Sequence, residues 1–133
     1  MDWLSCKKQG LVKETKEDKN KIASLIRIAE EKIKASNSLS SLHYYSKISL
    51  LYDAIRTYLE CISAKEGYKI YNHECYTFFL KEILKKDLIA EEFDKYRKIR
   101  NGINYYGKEI SKEESEKIIK DMNHFINKIK IGN

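Results

Sequence analysis

Proline is absent from the 133 residues and glycine occurs only five times. With so few residues that break or bend regular backbone, collagen-like repeats, low-complexity chains and turn-dense β-sandwiches are excluded. No run approaches the roughly 18 consecutive apolar residues that a membrane-spanning helix requires. The opening MDWLSCKKQG has no apolar h-region, so neither a signal peptide nor a membrane anchor is expected. The three cysteines, Cys6, Cys61 and Cys75, have no CxxC spacing, and an odd number cannot pair completely within one chain. A reducing cytoplasm is the compartment this usage fits best. There is no glycine-rich phosphate loop, HExxH or paired Cys/His signature, so no cofactor and no metal is expected.

What remains is a chain of single-domain length, 42% apolar and 35% charged, which is too hydrophobic for disorder. Lys and Arg number 26 against 20 Asp and Glu, a net charge of +6 that permits contact with RNA, DNA or an acidic partner. Only Arg27, Arg56, Arg97 and Arg100 are arginines. The remaining cations are lysines interleaved with acids, a solvated surface rather than an arginine-rich phosphate grip.

The apolar residues recur with a helical period. From about Lys13 to Ala35, Ile22, Leu25, Ile26, Ala29 and Ile33 share one face, and the Ser36-Asn37-Ser38 cluster predicts a turn. A second helix, about Ser41 to Glu66, carries a wide stripe of Tyr45, Ile48, Tyr52, Ile55, Leu59 and Ile62 and is ended by Gly67. Asn72 caps a short third helix, and a fourth runs from about Leu88 to Tyr106 with Phe93, Tyr96, Ile99, Ile103 and Tyr106 facing inward and Gly107 at its end. Ser111 and Glu114 have capping-box spacing ahead of a fifth. The fold class is therefore all-α, an antiparallel four- to five-helix up-and-down bundle in a single domain over residues 1–133. Residues 1–12 are poorly patterned and read as a loose arm or a short docking segment.

The most informative segment is Tyr96 to Gly107. On a regular helix Arg100 and Asn104 stand one turn apart at the border of the apolar stripe with Arg97 close by, a cationic fork beside an amide suited to a phosphate or a carboxylate. An ordinary helix-surface ion pair is the plainer reading of the same geometry. Gly102 costs roughly 1 kcal/mol relative to alanine inside a helix, which asks whether packing, a dimer contact or a ligand approaches the backbone there. Of the three histidines, His43, His73 and His124, none has metal-ligand spacing to another. His73 is kept as a spare candidate because its helix could pack near the fourth.

The string Arg-Asn-Gly-Ile-Asn-Tyr-Tyr-Gly over residues 100–107 resembles the motif region of the HEPN superfamily, in which an Arg followed by a polar residue leads across a short spacer to a His. His43-Tyr44-Tyr45, the run from Lys65 to Lys69, and Asn72-His73-Glu74-Cys75 are similar to landmarks of the same family, so the likeness extends over about residues 41–107. It implies a small helical bundle, a homodimer through the second and fourth helices with a cleft at its interface, and a metal-independent ribonuclease or toxin paired with a minimal nucleotidyltransferase antitoxin. Arg100 matches the motif Arg and Asn101 the polar residue after it.

Tyr105, however, stands where that pattern has its His. The string is closer to branches reading Arg-x-x-Ala-Asp-Tyr, with Ile103 for Ala, Asn104 for Asp and Tyr105 retained. Imidazole titrates near 6.5 and exchanges protons at neutral pH, whereas a phenol titrates near 10 and is a poor base. The resemblance thus implies an RNA-associated protein of a toxin–antitoxin or defence system with weak or absent nuclease activity. Arg100 and Tyr105 are its candidate catalytic pair, and Asn101, Asn104 and Arg97 bind substrate. The alternative is a non-catalytic helical module that binds a nucleotidyltransferase-like partner.

Overall fold

The computed structural model describes residues 1–130. Among them are six α-helices: α1 (Trp3–Lys8), α2 (Lys19–Ser38), α3 (Tyr44–Lys65), α4 (His73–Phe78), α5 (Asp87–Tyr106) and α6 (Lys112–Ile129). Two three-residue strands, β1 (Val12–Glu14) and β2 (Tyr68–Ile70), pair antiparallel with Lys13 opposite Lys69. The all-α expectation holds, with this small ribbon added. No helix among the described residues is long and apolar enough to cross a membrane.

The wide stripe of α3 is consumed inside the chain. Ile48, Leu51, Tyr52, Ile55, Tyr58 and Leu59 are all buried, and α3 packs on α2, α5, α6 and β2. Side-chain contacts fix the directions. Lys47 Nζ reaches the carbonyls of Ser36 and Leu39 at one end of the α2–α3 pair, and Cys61 faces the Ile22 carbonyl at the other, so the two helices run antiparallel. Glu92 meets Lys128 and Tyr96 packs edge-on against Phe125, which makes α5 and α6 antiparallel as well. Thr77 bonds Asp94 while Glu74 lies near Arg97, so α4 runs back along α5.

Caps explain the boundaries. Gly107 closes α5 in the left-handed conformation (φ 62°), and Ser111 with Glu114 forms the reciprocal capping box of α6, both as read from sequence. The first long helix begins at Lys19 rather than Lys13, because Asp18 supplies the cap by accepting from the Lys21 N–H, and residues 12–14 are diverted into β1. Its end lies beyond the expected turn. Ser36 is buried with its hydroxyl on the Lys47 carbonyl, and Ser38 bonds back to the Ala35 carbonyl, so these serines satisfy themselves within the helix instead of breaking it.

The N-terminal residues dock rather than hang loose. Asp2 caps α1, the Trp3 N–H donates to Glu82 Oε2 at 2.9 Å, and the Trp3 ring lies edge-on to Tyr68 and tilted against Phe79. Cys6 and Cys75 form a disulfide that ties α1 to α4, while Cys61 is a buried free thiol. Sequence pattern gives no sign of this pairing, because 69 residues separate the two sulfurs' positions in the chain. Tyr106 is the other departure. It continues the periodic stripe of α5 but is 83% exposed, since the last turn of the helix has run past the core.

Candidate functional site

The start of α4 and the end of α5 enclose an open polar cleft of about 390 Å³. From one side it is walled by Tyr71, Asn72, His73 and Glu74. Arg97, Arg100, Asn101 and Tyr105 face them from α5. The antiparallel packing of the two helices explains the juxtaposition: Asn72 caps α4 by accepting from the Cys75 N–H, which fixes the polar first turn against the part of α5 that carries the arginines.

Arg100 is half-buried at the centre. Its guanidinium carbon lies 5.4 Å from the centroid of the Tyr52 ring and 5.2 Å from that of Tyr105. Nη1 donates to the Tyr105 hydroxyl at 3.0 Å and to Asn101 Oδ1 at 3.4 Å. Two rings within cation–π reach and the hydrogen bond to Tyr105 restrain the guanidinium, so the fork is presented with fewer conformations left to lose. Asn104 is not part of this arrangement. Although one turn from Arg100, it is exposed and lies outside the cleft walls, because the guanidinium turns toward the two tyrosine rings instead. Arg97 is present but occupied. Only 14% of its side chain is exposed, with Asp94 at 2.8 Å and Glu74 at 3.7 Å. Burial would raise the Asp94 carboxyl, but hydrogen bonds from Arg97 and Lys98 outweigh it and hold the group below the usual carboxylate range.

His73, the spare candidate, stands in the same wall. Its Nδ1 is 2.9 Å from the hydroxyl of Tyr52, a fully buried residue whose ring stacks on Phe93. Burial pushes the Tyr52 phenol well above its ordinary value, so it stays protonated. Burial, reinforced by the charges of Arg56 and Arg100, pulls His73 down to about 4. The imidazole is therefore neutral at pH 7. It has no proton to give as an imidazolium acid and little basicity.

That shift has a measurable sign. Between the unfolded value near 6.5 and the folded value of about 4 the unfolded chain binds the extra proton, so acidification through this window destabilises the fold. Thermal melts of the wild type are expected to fall as pH drops from 6.5 to 4.5, and His73→Gln to flatten the decline. Equal pH dependence in the two proteins would contradict the assignment.

Among the described residues nothing requires glycine at position 102. A Cβ there would meet only the Lys108 side chain, at 3.4 and 3.6 Å, and the Lys108 N–H bonds the Gly102 carbonyl. Gly102→Ala is accordingly expected to stabilise the protein by about 0.5–1 kcal/mol, read as a higher urea midpoint with unchanged slope. A lower midpoint would mean that the bare backbone is needed for the fold.

The family model described as HEPN domain matches residues 22–132. The chain belongs to the HEPN domain family. No curated protein and no solved structure matches it significantly. The HEPN match takes in both walls of the cleft and leaves α1 and β1 outside. Within this HEPN domain, the motif residues Arg100, Asn101 and Tyr105 lie on one wall of the cleft. The motif missed Tyr52, which the stripe of α3 marks as core and which is core, but whose hydroxyl meets His73 behind the cleft wall. The Asn72-His73-Glu74 landmark was the available signal for the opposite wall.

Proposed function

We propose that this HEPN domain is an RNA-associated protein of a toxin–antitoxin or defence system, which binds a phosphate of RNA in the α4–α5 cleft and cleaves it weakly or not at all. The observation that carries the reading is the half-buried Arg100 fork, flanked by the rings of Tyr52 and Tyr105 and facing an open cleft. A phosphate there would accept from Arg100, with the amides of Asn72 and Asn101 and the Tyr105 hydroxyl within the same walls. The proton-transfer groups support binding over chemistry. Metal-independent cleavage needs a base at the 2′ hydroxyl and an acid at the leaving oxygen, and His73 is held where it serves poorly as either. A homodimer forms part of this reading, through α5 rather than α3: the α3 stripe is already covered, whereas Tyr106 at the end of α5 is exposed and lines no wall of the cleft. A cytoplasmic location also belongs to this reading; there the Cys6–Cys75 disulfide of the structure would be reduced to a pair of buried thiols.

A second reading, a helical module that binds a nucleotidyltransferase-like antitoxin, is favoured by one separate feature. Between α5 and α6 lies a groove of about 250 Å³ with Ile99, Ile103 and Ile118 in its floor and Lys95, Lys108 and Lys117 around it. Titration with a labelled RNA in EDTA at increasing salt separates the two. Binding whose log affinity falls linearly with log salt supports the RNA reading. Absence of salt-sensitive binding at low ionic strength would favour the protein partner.

A further inference from the structure

Beside the cleft, the β1–β2 ribbon carries a feature that the fold does not need. Lys13 and Lys69 are directly opposite each other across the two strands, and like charges so placed are destabilising. Both ammonium groups lie over the ring of Tyr71, at 5.8 and 5.9 Å from its centroid. Lys69 is anchored by Glu60 at 2.7 Å, whereas Lys13 is exposed and makes no ion pair among the described residues. Tyr71 is itself 58% exposed, so its ring does not serve the core, and it is at the same time a wall of the Arg100 cleft. Its position is fixed by the backbone, since the Tyr71 N–H donates to the Leu11 carbonyl at 2.8 Å. Tyr105, 66% exposed, stands on the opposite side of that cleft.

An exposed ring with cations close to it, continuous with an arginine fork and a second exposed ring, is an arrangement suited to an unpaired strand. Aromatic faces take bases and the cations take the phosphates between them. A duplex hides its base faces and cannot use the rings. We propose that Tyr71 and Lys13 extend the cleft into a binding strip for single-stranded RNA, with a base stacked on Tyr71 and a neighbouring phosphate on Lys13. The inference rests on the RNA reading above and deepens it by naming the strand state of the ligand. Lys13 lies outside the residues matched by the family model, and Tyr71 within them.

Fluorescence anisotropy with a labelled single-stranded RNA octamer, and with a duplex of the same length, tests it on the full chain. Tyr71→Ala is expected to weaken single-strand binding roughly tenfold, Tyr71→Phe to retain it, and neither to change duplex binding. Lys13→Ala is expected to reduce the salt slope by about 0.7. If Arg100→Ala weakens binding while Tyr71→Ala and Lys13→Ala bind like wild type, the strip is overturned and the cleft reading stands. If wild type binds neither RNA at low salt, both fall. Tyr71→Ala weakening duplex and single strand equally would also overturn the stacking role.

Discussion

Arg100→Ala is expected to lower RNA affinity between about tenfold and a hundredfold, the loss of one or two hydrogen bonds to a charged group at about 1.5–3 kcal/mol. The charge alone does not account for this, because lysines are abundant on the surface. What Arg100 adds is orientation: a planar fork held by two tyrosine rings and by the Tyr105 hydroxyl. Lysine can restore the charge but not the fork or its stacking, so Arg100→Lys is expected to recover only a minor part of the affinity while restoring the salt slope. Anisotropy titrations at two or more salt concentrations separate these quantities. Full recovery by Lys would mean that the cleft acts only as a region of positive potential.

Trp3→Ala is expected to destabilise the protein by about 3–5 kcal/mol, as for other buried aromatic truncations, and to lower Tm by roughly 10–20 °C. Helix α1 has only six residues, far below the length at which a helix persists on its own, so it is held by tertiary contacts. The Trp3 ring contributes through Tyr68 and Phe79, contacts that the substitution removes, whereas the backbone bond to Glu82 survives it. The consequences extend to the cleft, because Cys6 ties α1 to Cys75, two residues beyond His73. Reduction of that disulfide in the Trp3→Ala protein should lower Tm further, since it removes a second attachment of α1. A Tm within two or three degrees of wild type in a calorimetric scan would show that α1 is dispensable to the fold.

These residues also show where sequence reading succeeds and where it stops. Long amphipathic helices and their glycine and capping-box ends were legible because helical period and local hydrogen bonding are written in neighbouring positions, whereas Arg100, Asn101 and Tyr105 were singled out only by the resemblance to the HEPN motif. Elements α1, β1 and β2 were not, since three to six residues cannot display a period and their stability comes from distant partners such as Glu82 and Phe79. The Arg100–Asn104 pairing failed for a related reason: one-turn spacing permits the contact, but the rings of Tyr52, from another helix, and Tyr105 decide where the guanidinium goes. Tyr106 obeyed the stripe and still faces solvent, because a stripe specifies a helix face and not how far along the helix the core extends.

The central claim is that RNA sits in the cleft between the start of α4 and the end of α5. Nuclear magnetic resonance mapping of labelled protein titrated with a single-stranded RNA octamer tests it most directly. The largest shifts are expected at Asn72, His73, Arg100, Asn101 and Tyr105, and they should be lost in Arg100→Ala. Shifts centred instead on Ile99, Ile103 and Ile118 in the α5–α6 groove, or none at low salt, would contradict it.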